Sequence, residues 1–165
     1  MIEQHILENK IDIGLIENQS GHPDINALPF MEDYMQAIVA PDHPLAGCSH
    51  VTLKQLAQYP FLMREKGSAG REILDACFAL EQITVHPLWE SASTQAIVRG
   101  VAEGLGVAVL PCLLVRKNIE EHTVKMIPFS QPLTRKLNLI WHRSKYLTDN
   151  MNAFIDLCKK SGSEW

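Results

Sequence analysis

Residues 61–78 read FLMREKGSAGREILDACF, a short apolar run followed by a loop with two glycines and then an amphipathic segment. The apolar side chains of that segment recur at the spacing of one helix face: Ile73, Leu74, Cys77 and Phe78. The stretch therefore predicts a strand over Phe61–Met63 that leads through a loop into a helix over Arg71–Glu81.

The same order of strand, loop and helix recurs over residues 87–103, where Ser93 is the predicted helix N-cap. Gly104 fits the left-handed position that ends a helix, and Val107–Leu110 follows as a buried strand. The nearly continuous apolar run Ile11–Ile16 is typical of a strand in a parallel sheet that is covered by helices on both faces. This alternation of strands and helices predicts an α/β fold.

Other elements are predicted from shorter signals. An amphipathic pattern indicates a helix within Met1–Lys10, and Thr52 with Gln55 forms a capping box for a short helix. Further strands are predicted over Gln36–Ala40 and around Leu137–Trp141. Further helices are predicted after Pro111 and after Thr148.

Composition excludes several classes of protein. The chain has 165 residues, 46% hydrophobic and 21% charged, which excludes a disordered chain, a collagen-like repeat and a disulfide-built miniprotein. Its 19 acidic and 15 basic residues give a net charge of −4 without a basic cluster, so the chain itself is not expected to bind DNA or RNA. The longest nearly unbroken apolar run, Val107–Val115, is shorter than the ~20 residues of a membrane span. With no signal-peptide pattern at its start, the chain is predicted to be cytoplasmic and to have no membrane contact.

Motifs for metal binding or catalysis are absent from the sequence. The four cysteines, at positions 48, 77, 112 and 158, form no CxxC pair, so they are predicted to be reduced core residues. The seven histidines show no HxH or HExxH spacing, and there is no GxSxG elbow. We expect no metal site, no cofactor and no catalytic residue, and therefore not an enzyme, although a site built from dispersed residues stays open as an alternative.

Two loops are candidates for binding a small ligand. In Arg64–Arg71, two glycines allow a tight turn, Ser68 offers a hydroxyl, and the helix start offers unpaired N–H groups to an anion. In Glu90–Thr94, three hydroxyls at a helix start can line a pocket for a carboxylate or an amide. For both loops the alternative is an ordinary strand-to-helix turn with a capping side chain.

Six segments occur in an order that is informative as a set: Lys10–Ile16, Asp42–Ala46, Val51–Leu56, Arg64–Arg71, Ala96–Val98 and Gly104–Pro111. Together they resemble the effector-binding domain of LysR-type transcriptional regulators, and the resemblance extends over essentially the whole chain. The resemblance implies a fold similar to type 2 periplasmic binding proteins. In that fold, two Rossmann-like α/β lobes are joined by two crossover strands and hold a small molecule in the cleft between them.

By this resemblance, lobe I comprises approximately residues 1–40 and 107–165, and lobe II approximately residues 41–106. The crossover strands are expected near 36–40 and 106–110. The family's winged helix-turn-helix, its linker helix and the first strand–helix–strand of lobe I have no counterpart in the chain, so lobe I is expected to be truncated at its N-terminus.

The resemblance also implies a function and a set of site residues. The chain is expected to sense a small anionic effector, such as a carboxylate, an amino acid or an inorganic oxyanion. It is expected to form a homodimer or a higher oligomer, and to act on DNA only through the absent N-terminal domain. The alternative is a solute-binding protein of a transport system, which shares the fold. The implied effector-binding residues are Glu17, Gly67, Ser68, Ala69, Arg71, Ser91 and Ser93, and for Arg71 a structural salt bridge is the alternative role.

Overall fold

The computed structural model of the chain describes residues 1–17 and 20–163. The helices in this part are α1 (Ile2–Leu7), α2 (Leu53–Leu56), α3 (Ala69–Leu80), α4 (Thr94–Ala102), α5 (Cys112–Glu120) and α6 (Asp149–Ser163). The strands are β1 (Gly14–Glu17), β2 (Ile25–Val39), β3 (Phe61–Arg64), β4 (Pro87–Ser91), β5 (Ala108–Pro111), β6 (Lys125–Ile127) and β7 (Leu133–His142). The mixture of helices and strands confirms the predicted α/β class.

The chain divides into two compact units. The first is Met1–Asp33 together with the chain from Thr134 onward, and the second is Tyr34–Leu133. Strands β2 and β7 run through the two points of division, whereas β5, where the second crossover is expected, lies inside the second unit. The lobe boundaries implied by the resemblance stay a prediction.

In the first unit, β1 pairs antiparallel with β7, so that Gly14 is opposite Ile140 and Glu17 is opposite Leu137. The expectation of a parallel sheet around Ile11–Ile16 is therefore wrong. Leu15, in the middle of β1, is 47% exposed, so the strand is not buried on both faces. The apolar run carries no information on the direction of strand pairing. That direction is set by the partner strand, β7, which lies much later in the sequence.

In the second unit, β3 and β4 pair in parallel, with Leu62 opposite Trp89 and Arg64 opposite Ser91. Phe61 also forms a parallel bridge with Val107, just before β5. Helix α3 follows β3 and α4 follows β4, so the two helices begin beyond the carboxyl ends of adjacent parallel strands. This arrangement confirms the two strand–loop–helix predictions.

Strand β3 is buried on both of its faces. Phe61 and Met63 belong to one core cluster with Leu74 and Phe78 of α3, and the Phe61 and Phe78 rings meet edge to face at 5.5 Å. Leu62 points the other way, into a second cluster that contains the α4 residues Ile97, Val98 and Val101. Successive side chains of a strand alternate between its faces, so α3 and α4 cover opposite faces of β3.

Local capping signals are confirmed where the sequence predicts them. The Thr52 hydroxyl accepts a hydrogen bond from the Gln55 N–H at 3.2 Å, and the Gln55 side chain accepts one from the Thr52 N–H at 2.9 Å. Gly104 ends α4 with φ +76°, the predicted left-handed conformation. Within the described residues, no helix has the length and apolar character needed to cross a bilayer.

Among the glycines of the second unit, Gly106 lies nearest to another part of the backbone. A Cβ at this position would overlap the carbonyl oxygen of Pro60, which accepts the Val107 N–H at 2.8 Å. We expect Gly106→Ala to lower the free energy of unfolding by about 2 kcal/mol or more in urea denaturation, because backbone must move to admit the methyl group. Gly47→Ala, where a Cβ meets open space, is the control and should change stability by less than about 0.5 kcal/mol. Equal effects of the two substitutions would contradict this packing.

Candidate functional site

Six of the seven predicted site residues lie at one edge of the second unit, where β3 and β4 end. Arg64 and Ser91, the last residues of these strands, are opposite each other in the parallel register. Ser68 and Ser93 are the N-caps of α3 and α4. In open α/β sheets, this edge beyond the carboxyl ends of parallel strands is where ligands bind.

The loop before α3 presents the start of a twelve-residue helix. Gly67 turns the chain with φ +88°, a conformation that side chains rarely tolerate. The Ser68 hydroxyl accepts the Arg71 N–H at 3.4 Å, and Ala69 and Gly70 are the first helical residues. Helix geometry gives the N–H groups of a first turn no acceptor within the helix, so this turn offers donors and partial positive charge.

The loop before α4 is organised by its hydroxyl groups. Ser91 Oγ accepts the Ser93 N–H at 3.1 Å, and Ser93 Oγ accepts the Ala96 N–H at 3.3 Å. Thr94 Oγ1 accepts a hydrogen bond from Nη1 of Arg64 at 3.0 Å, which connects the end of β3 to the start of α4. The capping role is thus present in the structure, yet a hydroxyl that accepts a cap bond keeps its own hydrogen to donate. Capping and ligand binding are compatible roles for these serines.

Arg71 is 6% exposed and connects three elements. Its Nε lies 2.9 Å from both carboxylate oxygens of Asp75, and its Nη1 donates to Glu90 Oε1 at 2.7 Å and to the Arg64 carbonyl at 2.8 Å. Burial by itself lowers the pKa of Arg71, but the bonds to Glu90 and Asp75 outweigh it and raise the pKa above its ordinary value. Arg71 therefore forms the structural salt bridge that is the alternative to its predicted effector contact.

Glu17 belongs to the first unit and ends β1. Its Oε1 lies 2.7 Å from Nη1 of Arg135, a buried guanidinium that also pairs with the buried Asp33. Effector contact by the seven predicted residues, Glu17 included, stays a prediction.

Several polar residues of the two predicted loops are not among the seven predicted effector-binding residues, although the Thr94 hydroxyl is one of the three that are expected to line a pocket. Arg64, Glu90 and Thr94 supply the bonds that join the two loops. A charged residue at the last position of an apolar strand is the available signal for Arg64. Nothing in the sequence indicates that Glu90 meets Arg71, nineteen residues away.

Several cavities of the second unit have volumes in the range of small-molecule sites, and two of them contain residues singled out in the sequence. One, of about 490 Å³, includes Ser93 and runs along α4 past Trp89 and Gly100. The other, of about 530 Å³, is lined mainly by apolar side chains and includes Cys77. Burial raises the pKa of the Cys77 thiol, which favours its protonated, unreactive form.

In the part of the chain that the structure describes, no three His, Cys, Asp or Glu side chains are arranged to hold a metal ion.

Comparison with known proteins identifies relatives along almost the whole chain. The model of the LysR substrate binding domain matches residues 1–163. The HTH-type transcriptional regulator YeiE of Escherichia coli K12 is 32% identical over 160 residues, which are 95% of this chain and 54% of that protein. CysL of Bacillus subtilis, also an HTH-type transcriptional regulator, is 30% identical over 162 residues, 97% of this chain and 54% of CysL. The chain thus spans about half the length of the curated relatives it matches.

Solved structures of regulatory domains share the fold. The regulatory domain of CcmR from Synechocystis PCC6803, in complex with 2-PG, aligns with a TM-score of 0.86 and 25% identity over 98% of this chain and 78% of that one. The effector-binding domain of QuiR, in complex with shikimate, aligns with a TM-score of 0.82 and 23% identity over 99% of this chain and 77% of that one.

The salt bridges of Arg71 predict a large cost for its removal. Arg71→Met leaves Asp75 and Glu90 without the cation of Arg71 and removes one donor from the Arg64 carbonyl. We expect a loss of about 2 kcal/mol in denaturant unfolding, less than for a fully buried pair because both carboxylates are partly exposed to water. Arg116→Met removes an exposed pair at the same i,i+4 spacing, so it is the matched control and should cost less than about 0.5 kcal/mol. A similar loss of unfolding free energy in both variants would show that the salt bridges of Arg71 stabilise the fold no more than an exposed pair does.

Proposed function

Because the chain belongs to the LysR substrate-binding domain family, we propose that it is the effector-sensing part of a DNA-binding transcription regulator. Its relatives are HTH-type transcriptional regulators, and the chain corresponds to about half of their length. The net charge of −4 without a basic cluster supports DNA binding by another part of the whole regulator. The family match favours this function over a solute-binding protein of a transport system.

The proposed effector is a small anion, such as a carboxylate, an amino acid or an inorganic oxyanion. The observation that carries this proposal is the start of α3 and α4, each capped by a serine, beyond two adjacent parallel strands. The first-turn N–H groups and the serine hydroxyls are donors that suit a carboxylate or phosphate oxygen. The structures with shikimate and 2-PG contain small anionic molecules, which supports the same ligand class here.

We assign different roles to the predicted residues. The N–H of Ala69 and the hydroxyls of Ser68, Ser91 and Ser93 would donate to the anion, and Gly67 would let the backbone approach it. Arg71 would hold the two loops in place rather than touch the ligand, because Asp75, Glu90 and the Arg64 carbonyl already surround its guanidinium. Glu17 is the proposed contact from the first unit. An effector can shift the regulator between two states only by its difference in affinity for them.

The regulator is proposed to act in the cytoplasm, without catalytic turnover, as a homodimer or higher oligomer.

Strand β4 offers a surface for self-association. It pairs with β3 alone among the described residues, so its other edge is open. Leu88 and Trp89 on β4 and Leu105 after α4 are exposed apolar side chains. An open strand edge with apolar side chains is a site for pairing with another chain, and homo-oligomers commonly form through such self-complementary surfaces. We propose a second copy of the chain as the occupant.

Ligand binding is tested by thermal melting of the purified chain with shikimate, 2-phosphoglycolate, amino acids, sulfate and phosphate. A ligand at a hundred times its dissociation constant adds about 2.7 kcal/mol, which raises the midpoint by several degrees. Ser68→Asp keeps a good N-cap but places a negative charge at the start of α3. We expect this variant to weaken binding of the selected anion at least tenfold while its ligand-free midpoint changes little.

Thr52→Asp is the matched control, because it makes the same change at the N-cap of α2, away from the proposed site. It should leave the affinity for the anion unchanged. Binding of neutral compounds only, or equal affinity in Ser68→Asp and the unaltered chain, would contradict the proposed site.

Oligomerisation is tested by light scattering after size-exclusion chromatography across a range of concentrations. Leu88→Asp should raise the dissociation constant of the dimer at least tenfold, because it places a charge on the proposed interface. Leu80→Asp alters an exposed leucine at the end of α3 and should leave self-association unchanged. A dimer that is equally stable in both variants would place the interface elsewhere.

A further inference from the structure

Arg135 links three strands through one buried guanidinium. It lies on β7, which has β1 and β2 as neighbours in the sheet. Its Nη1 is 2.7 Å from Glu17 Oε1 on β1. Its Nε and Nη2 donate to Asp33 Oδ2 on β2 at 3.0 and 2.7 Å. A planar guanidinium can serve two carboxylates in this way because its N–H groups point in several fixed directions.

The two carboxylates are held unequally. The Asp33 side chain is 2% exposed and receives two N–H groups, whereas the Glu17 side chain is 31% exposed and receives one. The second Glu17 oxygen, Oε2, has no hydrogen-bond partner among the described residues. Asp33, which needs the cation because it is buried, is thus the fixed partner of Arg135, and Glu17 is the partner whose bond can change.

Glu17, Asp33 and Arg135 form an ion cluster, and two of its members, Asp33 and Arg135, lie next to the points where the chain passes from one unit to the other. Asp33 is the last residue of the first unit on β2, and Arg135 is the second residue after the chain returns to that unit at Thr134. The bond between Asp33 and Arg135 therefore fastens the two connecting segments to each other. These residues are 102 positions apart in the sequence.

We infer that Arg135 is a positioning residue that orients the Glu17 carboxylate and couples any change at Glu17 to both connecting segments. The inference rests on the proposed function in one respect, that Glu17 is an effector contact. The coupling itself is a property of the ligand-free chain. Groups in one hydrogen-bonded ion network are energetically coupled, so weakening the bond to Glu17 alters the bond that Arg135 makes to Asp33.

The coupling is tested without any effector by recording the amide resonances of the ¹⁵N-labelled chain. Glu17→Gln removes the negative charge that Arg135 shares with Asp33. We expect it to shift the amide resonances of Asp33, Tyr34 and Thr134. In an Arg135→Lys background, the same substitution should shift these resonances at least threefold less, because a lysine ammonium keeps the charge near Asp33 but lacks the fork that reaches both carboxylates.

A second background and a control complete the design. Asp33→Asn combined with Arg135→Gln removes both buried charges together, and it should also reduce the response to Glu17→Gln at least threefold. Asp12→Asn neutralises a carboxylate that pairs with Lys145, so the three resonances should stay in place. Equal shifts with and without Arg135, or no shift in the unaltered chain, would overturn the coupling. Failure of the proposed function would instead appear as absence of anion binding in the melting experiment.

Discussion

The two-sided burial of β3 is the constraint on which the second unit depends. Phe61 and Met63 require an apolar cover on one face, and Leu62 requires one on the other. Helices α3 and α4 meet these two requirements, and each reaches its face directly from the end of a parallel strand. Both helix starts are thereby brought to the same edge of the sheet. The proposed binding site is thus a consequence of how the core is covered.

The polar groups at that edge serve the fold first. Ser68 and Ser93 cap helices, and Arg64 and Arg71 tie the loops to each other through Thr94 and Glu90. Because these bonds are made without a ligand, the donors that remain at the proposed site are already held in place. A preorganised site loses less conformational entropy on binding, so a small anion can bind through few contacts.

The parts of the structure that depend on near neighbours in the sequence are predicted well. Ser93 and Gly104 mark the two ends of α4, and the spacing of Ile73, Leu74, Cys77 and Phe78 marks the face of α3. The first part of β2 is missed because Pro29 and the acidic pair Glu32 and Asp33 interrupt any apolar pattern. The direction of β1 and the meeting of Asp33 with Arg135 depend on distant partners, about which local patterns carry no information.

Among the described residues, each unit contains one buried arginine that pairs with two carboxylates, Arg71 in the second unit and Arg135 in the first. The exposure of these carboxylates decides whether the arginine only holds its neighbours in place or also couples them. Both partners of Arg71 are partly exposed, so water shares in their solvation and either can relax alone. Arg135 has one partner, Asp33, that is excluded from water and another, Glu17, whose side chain is partly exposed although its Oε2 is buried. Because the buried Asp33 accepts two N–H groups from Arg135, we expect a change at Glu17 to alter the position of the guanidinium. Unequal burial of Glu17 and Asp33 thus lets Arg135 couple the two carboxylates. The carboxylates that pair with Arg71 are both partly hydrated, so a change at one need not alter the other.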